Sequence, residues 1–149
     1  MSADPSQDER VLAALNAALD MGYRHIDTAE MYAGGHTEEL IGQALRGRQR
    51  EELFIVSKVW QTHMRYEEVL RACQGSLRRL GLDYLDMYMI HWPSRSVPLE
   101  ETMRALNQLV LDGATRYIGV CNFDLDLLRQ AQEYSSVPIA MNQVPYNLH

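Results

Sequence analysis

The sequence predicts an α/β fold in which a parallel sheet is covered by helices, and three observations support this prediction. Short apolar runs alternate with amphipathic helical patterns along the chain. Glycines follow the first, third and fourth helical patterns, where they can end a helix in the left-handed conformation. The run "MYMI" at Met87–Ile90 is apolar without alternation, as in a strand that is buried on both faces. Strands that alternate with helices are typical of repeated βα units, whose right-handed crossovers place the helices outside the sheet.

The first two units lie in the N-terminal part of the chain. A helix is predicted over Asp8–Met21 and ends at Gly22, with one apolar face formed by Val11, Leu12, Leu15, Ala18 and Leu19. The strand-like run "YRHIDTA" follows. Thr37 is the expected N-cap of a second helix, where Glu38 and Glu39 would suit the helix dipole. Its apolar side is formed by Leu40, Ile41, Ala44 and Leu45, and the β-rich run "LFIVSKVW" comes next.

Three more units complete the pattern. A third helix is predicted over Tyr66–Leu80, ends at Gly81 and precedes "YLDMYMIHW". A fourth helix is predicted over Leu99–Asp112, ends at Gly113 and leads into "RYIGVCNF". A fifth helix starts near Asp124 and gives way to "PIAMNQV". The sequence therefore predicts about five parallel strands with outer helices.

Composition restricts the class of protein. The 149 residues suit a single domain over 1–149, and 46% hydrophobic with 23% charged residues is typical of a globular protein. A net charge of -6 argues against nucleic-acid and anionic-membrane partners. The sequence shows no bilayer-spanning apolar run and no secretory leader. Cys73 and Cys121 fit no disulfide framework and no zinc spacing. We expect a reduced, cytoplasmic protein with no metal site.

A polar side chain ends each of the five strand-like runs. These residues are Asp27, Lys58, His91, Asn122 and Gln143. A single histidine at a strand end, such as His91, is readily explained as a hydrogen-bonded structural residue. Five such ends would converge on one face of a barrel of parallel strands, where active sites lie, and would be costly to desolvate unless they satisfied one another or a ligand. The pattern therefore favours an enzyme.

The chemistry of these groups suits carbonyl reduction. Lys58 and Asp27 would form an ion pair, and Tyr32 follows Asp27 on the loop that leaves the strand. A nearby ammonium favours the phenolate form, so such a phenol can donate a proton to a developing alkoxide near neutral pH. His91 could position a carbonyl oxygen, while the amides of Asn122 and Gln143 suit a carboxamide such as that of nicotinamide. The sequence contains no HExxH motif and no P-loop.

Several segments resemble the aldo-keto reductase superfamily. They are "GYRHIDTAEMY", "IVSKVW", "LDYLDMYMIHWP", "YIGVCNF" and "MNQVPYN", which occur in the family order from about Val11 onward. The resemblance implies a (β/α)8 TIM barrel, of which this chain would be a partial version that resembles strands 2–6. It also implies reduction of an aldehyde or ketone to an alcohol, with NADP(H) as the cofactor and NAD(H) left open, and a small carbonyl compound as the substrate.

The resemblance also implies roles for individual residues. Tyr32 would be the general acid, Lys58 and Asp27 would tune it, and His91 would orient the carbonyl. Asn122 and Gln143 would hold the nicotinamide carboxamide. Trp60 and Trp92 would line the substrate pocket, although packing at the rim explains them equally well.

The chain departs from the family in three respects. Ala33 stands where glycine is common, and Cys121 replaces a serine, which weakens one cofactor hydrogen bond because a thiol is a poor donor. A full barrel of this kind needs at least about 200 residues, so we expect a truncated domain. Its open sheet edges would promote self-association.

Two other hypotheses remain open beside the carbonyl reductase. The chain could be a non-catalytic barrel relative that binds a nucleotide or a partner protein, or an inactive fragment. Retention of all four residues, Asp27, Tyr32, Lys58 and His91, argues for the reductase.

Overall fold

A computed structural model describes residues 5–148, which form five strands, five α-helices and two short 3-10 helices. The strands are β1 (His25–Asp27), β2 (Phe54–Val59), β3 (Leu85–Ile90), β4 (Thr115–Cys121) and β5 (Ile139–Gln143). The helices are α1 (Pro5–Asp20), α2 (His36–Leu45), α3 (Tyr66–Leu80), α4 (Leu99–Leu111) and α5 (Leu125–Tyr134). The 3-10 helices span Tyr32–Gly35 and Arg50–Glu52.

All the strand pairs are parallel, and the strands stand in chain order from β1 to β5. The sheet curls into a half-barrel with helices on its outer side, so the predicted α/β fold and partial (β/α)8 architecture are confirmed. The register aligns Lys58 with Met89 and Gly119 with Met141, so the strand ends reach a common level. All six residues of β3 are buried, as the unbroken apolar run predicted.

The helix boundaries agree with the sequence patterns at most positions. α3 covers the predicted Tyr66–Leu80, and Gly81 ends it in the left-handed conformation with φ 67°. Thr37 was wrong as the N-cap of α2, because the chain enters this helix through Gly35 with φ 97° and the helix begins at His36. Val11, which was placed on the apolar face of α1, is 40% exposed, so it lies at the margin of that face.

The apolar core lies on both sides of the sheet. The larger part packs between the helices and the outer face of the strands and includes Ile55, Leu106 and Ile118. A smaller cluster lies on the concave side, which will be called the inner cluster. It consists of Val56, Met87, Met89 and Cys121, with Phe54 and Met141 packed against it.

Two buried carboxylates tie the elements together. Glu38 of α2 is fully buried, where it accepts hydrogen bonds from Ser57 Oγ (2.6 Å) and Arg79 Nε (2.7 Å). Asp86 of β3 is 2% exposed and pairs with Arg50 (2.7 Å) and Arg116 (3.2 Å) near the start of the strands. These pairs satisfy charges that would otherwise be costly to bury.

The two outer strands have one neighbour each within residues 5–148. β1 pairs with β2, and β5 pairs with β4. No helix in this part of the chain combines the length and apolarity that crossing a membrane requires.

Candidate active site

The carboxyl end of the sheet brings together the polar residues that end the five strands. Lys58 Nζ forms an ion pair with Asp27 Oδ1, and it also donates a hydrogen bond to the Thr28 carbonyl (2.9 Å). Gln143 Nε2 donates to the other oxygen of Asp27 (3.3 Å), while Asn122 Nδ2 donates to the backbone carbonyl of His91 (3.0 Å). The predicted convergence of the strand ends is therefore confirmed as geometry.

Lys58 lies on the concave side of the sheet beside the inner cluster, and its ammonium lies at the carboxyl end of the strands. The inner-cluster residues Val56 and Met87 are paired on β2 and β3, and Lys58 is paired with Met89. The lysine side chain is 1% exposed, so its ammonium depends on the protein for compensation. The Asp27 carboxylate provides it at the end of the neighbouring strand.

Tyr32 stands over this ion pair at the start of a 3-10 helix. The centre of its ring lies 5.8 Å from Lys58 Nζ, and its side chain remains open to an incoming ligand because the residue is 38% exposed. The next residue, Ala33, adopts the left-handed conformation with φ 50°. This conformation costs an alanine more than a glycine, which gives a physical reason for the glycine that is common there in the resembling family.

His91 contacts two aromatic rings. Tyr32 meets it edge to face with the ring centroids 5.7 Å apart, and Trp60 does so at 5.2 Å. Burial and the Lys58 ammonium lower the pKa of His91, and Asp27 and Glu30 oppose that change. The imidazole is therefore neutral at pH 7. Its Nδ1 is buried without a hydrogen-bond partner among the described residues.

Asn122, Gln143 and Cys121 lie in the part of the site at the ends of β4 and β5. Asn122 adopts φ 62°, and its backbone N–H donates to the Gln143 carbonyl (2.9 Å). Cys121 Sγ donates weakly to Gln143 Oε1 at 3.6 Å. Burial raises the pKa of the Cys121 thiol to about 11, so this residue stays a protonated, poor donor. Both amide groups therefore already have protein partners in this structure.

The two tryptophans occupy different surroundings. Trp60 directly follows β2 and its indole contacts His91. Trp92 is 43% exposed and lines a surface cleft together with Asn122, Arg65 and Arg95. Trp60 is thus part of the ring cluster around His91, and Trp92 lies on the wall of the adjoining cleft.

Glu30 belongs to this end of the sheet as well, and sequence reasoning missed it. Its carboxylate accepts hydrogen bonds from the Trp60 backbone N–H (2.6 Å) and from His63 Nδ1 (3.0 Å). Its place between Asp27 and Tyr32 in "DTAEMY" was the signal available in the sequence.

Comparison with known proteins gives a consistent result. The model of the aldo/keto reductase family matches residues 1–149. Methylglyoxal reductase YeaE of Escherichia coli is 44% identical over 149 residues, which is 99% of this chain and 52% of that protein. Glyoxal reductase of Bacillus subtilis is 43% identical over 136 residues, covering 90% of this chain and 48% of that protein. The chain spans about half the length of the curated relatives it matches.

Solved structures agree with the sequence comparison. A thermostable aldo-keto reductase in complex with the inhibitor epalrestat has a TM-score of 0.95 and 53% identity, over 98% of this chain and 53% of that one. An aldo-keto reductase from Klebsiella pneumoniae in complex with NADPH has a TM-score of 0.86 and 45% identity, over 96% and 50% of the two chains. The resemblance read from the sequence motifs is therefore confirmed.

Proposed function

Because the chain belongs to the aldo/keto reductase family, we propose that the protein containing it reduces a small aldehyde or ketone to the alcohol with NADPH. The observation that carries this proposal is the position of Tyr32 beside the buried Lys58–Asp27 ion pair and against the His91 ring. Relatives named for methylglyoxal and glyoxal support small dicarbonyl compounds as substrates. The NADPH complex of a structural neighbour supports NADP(H), with NAD(H) as the second cofactor to test.

Tyr32 supplies the proton in this mechanism. As negative charge develops on the carbonyl oxygen, the Tyr32 hydroxyl donates its proton to that oxygen. The Lys58 ammonium stabilises the phenolate that remains, and Asp27 holds Lys58 in place. NADPH, when bound, supplies the hydride for the carbonyl carbon.

His91 orients the substrate in this mechanism. Its imidazole is neutral at neutral pH because burial and Lys58 lower its pKa. A neutral imidazole N–H donates a hydrogen bond to a carbonyl oxygen without placing a second full charge in the site. The ring contacts with Tyr32 and Trp60 keep the imidazole in one orientation. Trp60 and Trp92 would then form walls of the substrate pocket.

The amide side chains fit a nicotinamide carboxamide. Asn122 and Gln143 each present both a donor and an acceptor, and a carboxamide requires both. Gln143 is exposed, so it can exchange its bonds to Asp27 and Cys121 for a ligand. Cys121 would contribute a weak third contact. Both cysteines are free, which suits a reducing compartment such as the cytoplasm.

Tyr32→Phe tests this function. Turnover would be followed as NADPH consumption with methylglyoxal, and NADPH affinity by fluorescence titration. We expect turnover to fall about 10²–10⁴-fold because a general acid is lost, while NADPH affinity is unchanged because the ring remains. Tyr23→Phe is the matched control, since Tyr23 is 67% exposed and lies outside the site. Near-parental turnover in Tyr32→Phe would refute the assigned role. NADPH binding by a parent protein without any reductase activity would favour the non-catalytic alternative.

A further inference from the structure

The Glu30 carboxylate occupies a buried junction between the loops that follow β1 and β2. Its side chain is 10% exposed. One oxygen, Oε1, accepts both the backbone N–H of Trp60 at 2.6 Å and Nδ1 of His63 at 3.0 Å. A carboxylate removed from water to this degree needs such partners, so its place in the fold is specific.

Glu30 also extends the pairing of β1 with β2 beyond the ends of these strands. The Thr28 N–H donates to the Val56 carbonyl (2.9 Å), and the Glu30 N–H donates to the Lys58 carbonyl (3.3 Å). The backbone N–H of Glu30 thus binds the carbonyl of Lys58, and the carboxylate of Glu30 binds the backbone N–H of Trp60. The segment that carries Lys58 and Trp60 is therefore held at two points by one residue.

This segment determines where the Trp60 indole lies. The indole meets His91 edge to face, with the ring centroids 5.2 Å apart and the planes at 78°. Tyr32 also meets this imidazole edge to face, with the ring centroids 5.7 Å apart. Because an indole follows its backbone, a shift of the Trp60 peptide would open the space that now confines His91.

We propose that Glu30 is a positioning residue of the carbonyl-reducing site, which holds the Trp60 peptide so that the indole confines the His91 imidazole in the orientation needed to bind a carbonyl. The effect of Glu30 on catalysis rests on the proposed function. The effect of Glu30 on the position of the Trp60 indole does not, and it can be measured without following turnover. In this role Glu30 touches neither the substrate nor the reacting atoms, and it acts through Trp60.

The negative charge of Glu30 also acts on the pKa of His91, and this effect can be separated from the positioning of Trp60. The groups that face His91 are Asp27 and Glu30, whose carboxylates raise its pKa, and Lys58, whose ammonium lowers it. Removing the charge of Glu30 while keeping its shape should therefore lower the His91 pKa further, with the ring contacts unchanged. Removing the whole side chain should disturb both the titration and the contacts.

Tryptophan fluorescence measures both consequences. The 149-residue polypeptide has two tryptophans, so in that polypeptide Trp92→Phe leaves Trp60 as the single indole. A protonated imidazole in contact with an indole quenches its emission, whereas a neutral one does so much less. As the pH is lowered, the emission of this parent variant should therefore decrease in one step, which follows protonation of His91. The variant His91→Gln should not show this step. His63 lies close to Trp60 as well, so every variant is also made with His63→Gln.

Three substitutions at Glu30 then decide the proposal. Glu30→Gln keeps an acceptor for the Trp60 N–H, so the amplitude of the step should persist and its midpoint should move to lower pH. Glu30→Ala should lose most of the amplitude and shift the emission to longer wavelength. An unchanged amplitude and wavelength in Glu30→Ala would overturn the proposal. If Glu30→Ala does not fold, Glu30→Asp keeps the charge with a shorter reach and should lose amplitude in the same way. Full amplitude in that variant would also overturn the proposal.

Steady-state kinetics separates positioning from general stabilisation. In the active reductase without the fluorescence substitutions, Glu30→Ala should lower kcat/KM for methylglyoxal about tenfold or more, with NADPH affinity unchanged. Glu30→Gln should recover most of this loss. Equal losses in both variants would refute positioning by the hydrogen bond. If the parent has no reductase activity, the proposed function fails while the fluorescence result still decides whether Glu30 positions the indole.

Discussion

Lys58 and Asp27 form an ion pair in which the two charges are unequally buried. The lysine side chain is 1% exposed and the aspartate side chain is 32% exposed. Among the described residues, the ammonium donates one hydrogen bond besides that to Asp27, to the Thr28 carbonyl at 2.9 Å, while Asp27 also accepts one from Gln143 at 3.3 Å. The lysine therefore depends on the aspartate more than the aspartate depends on the lysine.

This asymmetry predicts that Asp27→Asn destabilises the fold more than Lys58→Met. Asp27→Asn leaves a buried ammonium without its counter-charge, which should lower the free energy of unfolding by about 3 kcal/mol. Lys58→Met leaves a carboxylate that water can reach, and should cost about 1 kcal/mol. Urea unfolding of both variants at pH 7 measures the difference.

The double variant Asp27→Asn with Lys58→Met is the control for this prediction. It has no unpaired charge, so its free energy of unfolding should lie near that of Lys58→Met alone. If the double variant is less stable than Asp27→Asn, the loss of stability comes from changed side-chain packing and not from the unpaired ammonium.

His91 makes stability depend on pH below neutrality. Its pKa in the folded chain lies below the usual value of 6.5 because burial and Lys58 disfavour the imidazolium. As pH falls through about 6.5 the unfolded chain binds the proton first, so stability decreases from there down to the folded pKa. We expect His91→Gln to flatten this part of the profile, as measured by thermal unfolding between pH 5 and 7.5.

His36 acts with the opposite sign and must be removed from this measurement. Its hydrogen bonds to Asp8 (3.0 Å) and Glu39 (3.1 Å) raise its pKa, so its contribution is full below about 6.5 and is lost as pH rises through the folded pKa. The comparison is therefore made with His36→Gln in both chains. A profile that is the same with and without His91 would contradict the predicted titration.

Gly42 should tolerate no side chain where α2 crosses the end of α3. A Cβ atom at this position would lie 2.6 Å from the Arg79 carbonyl oxygen and 2.8 Å from that of Leu80, both in the backbone. Gly42→Ala should therefore lower the free energy of unfolding by about 1–3 kcal/mol, because the two helices must separate. Thermal or urea unfolding measures this loss.

Gly75 in the interior of α3 is the matched control. The nearest neighbour of a Cβ there would be Arg79 Nη1 at 3.1 Å, so a side-chain guanidinium that also pairs with Glu38 would have to shift by a few tenths of an ångström. Gly75→Ala should therefore cost less than Gly42→Ala, because no backbone has to move and alanine gains about 0.5–1 kcal/mol of helix propensity. Equal losses in both variants would show that the close approach at Gly42 is not the cause.

The sequence predicted the succession of elements because each signal was local. The apolar stripe of α3 and the glycine at its end determine that helix, and "MYMI" identifies a buried strand without reference to its neighbours. The polar strand ends, from Asp27 to Gln143, could be assigned to one face because parallel strands share a direction. Thr37 was misassigned because the glycine pair at Gly34 and Gly35 turns the chain so that the N-cap is Gly35, two residues before the predicted threonine cap.

The buried charge network could not be predicted in the same way. The sequence has 20 acidic residues, and nothing local separates Glu30, Glu38 and Asp86 from the exposed ones. Each of the three has partners about 19 to 41 positions away along the chain, such as Arg79 for Glu38 and Trp60 for Glu30. Those partners become visible only when the strands and helices are placed side by side.

The last prediction concerns the outer edges of the sheet in the 149-residue polypeptide. Within residues 5–148 each outer strand has one paired edge, and the concave side carries Tyr117, 51% exposed and stacked on Phe54. Unpaired strand edges beside exposed apolar groups favour pairing with another copy, so sedimentation should show a mass that rises with concentration. Ala140→Lys on β5 should reduce this association because a charge must then be desolvated at the edge, whereas Ala13→Lys on the exposed side of α1 should not. A parent chain that sediments as a monomer at every concentration would refute association through the edges, and equal effects of the two lysines would assign it to net charge instead.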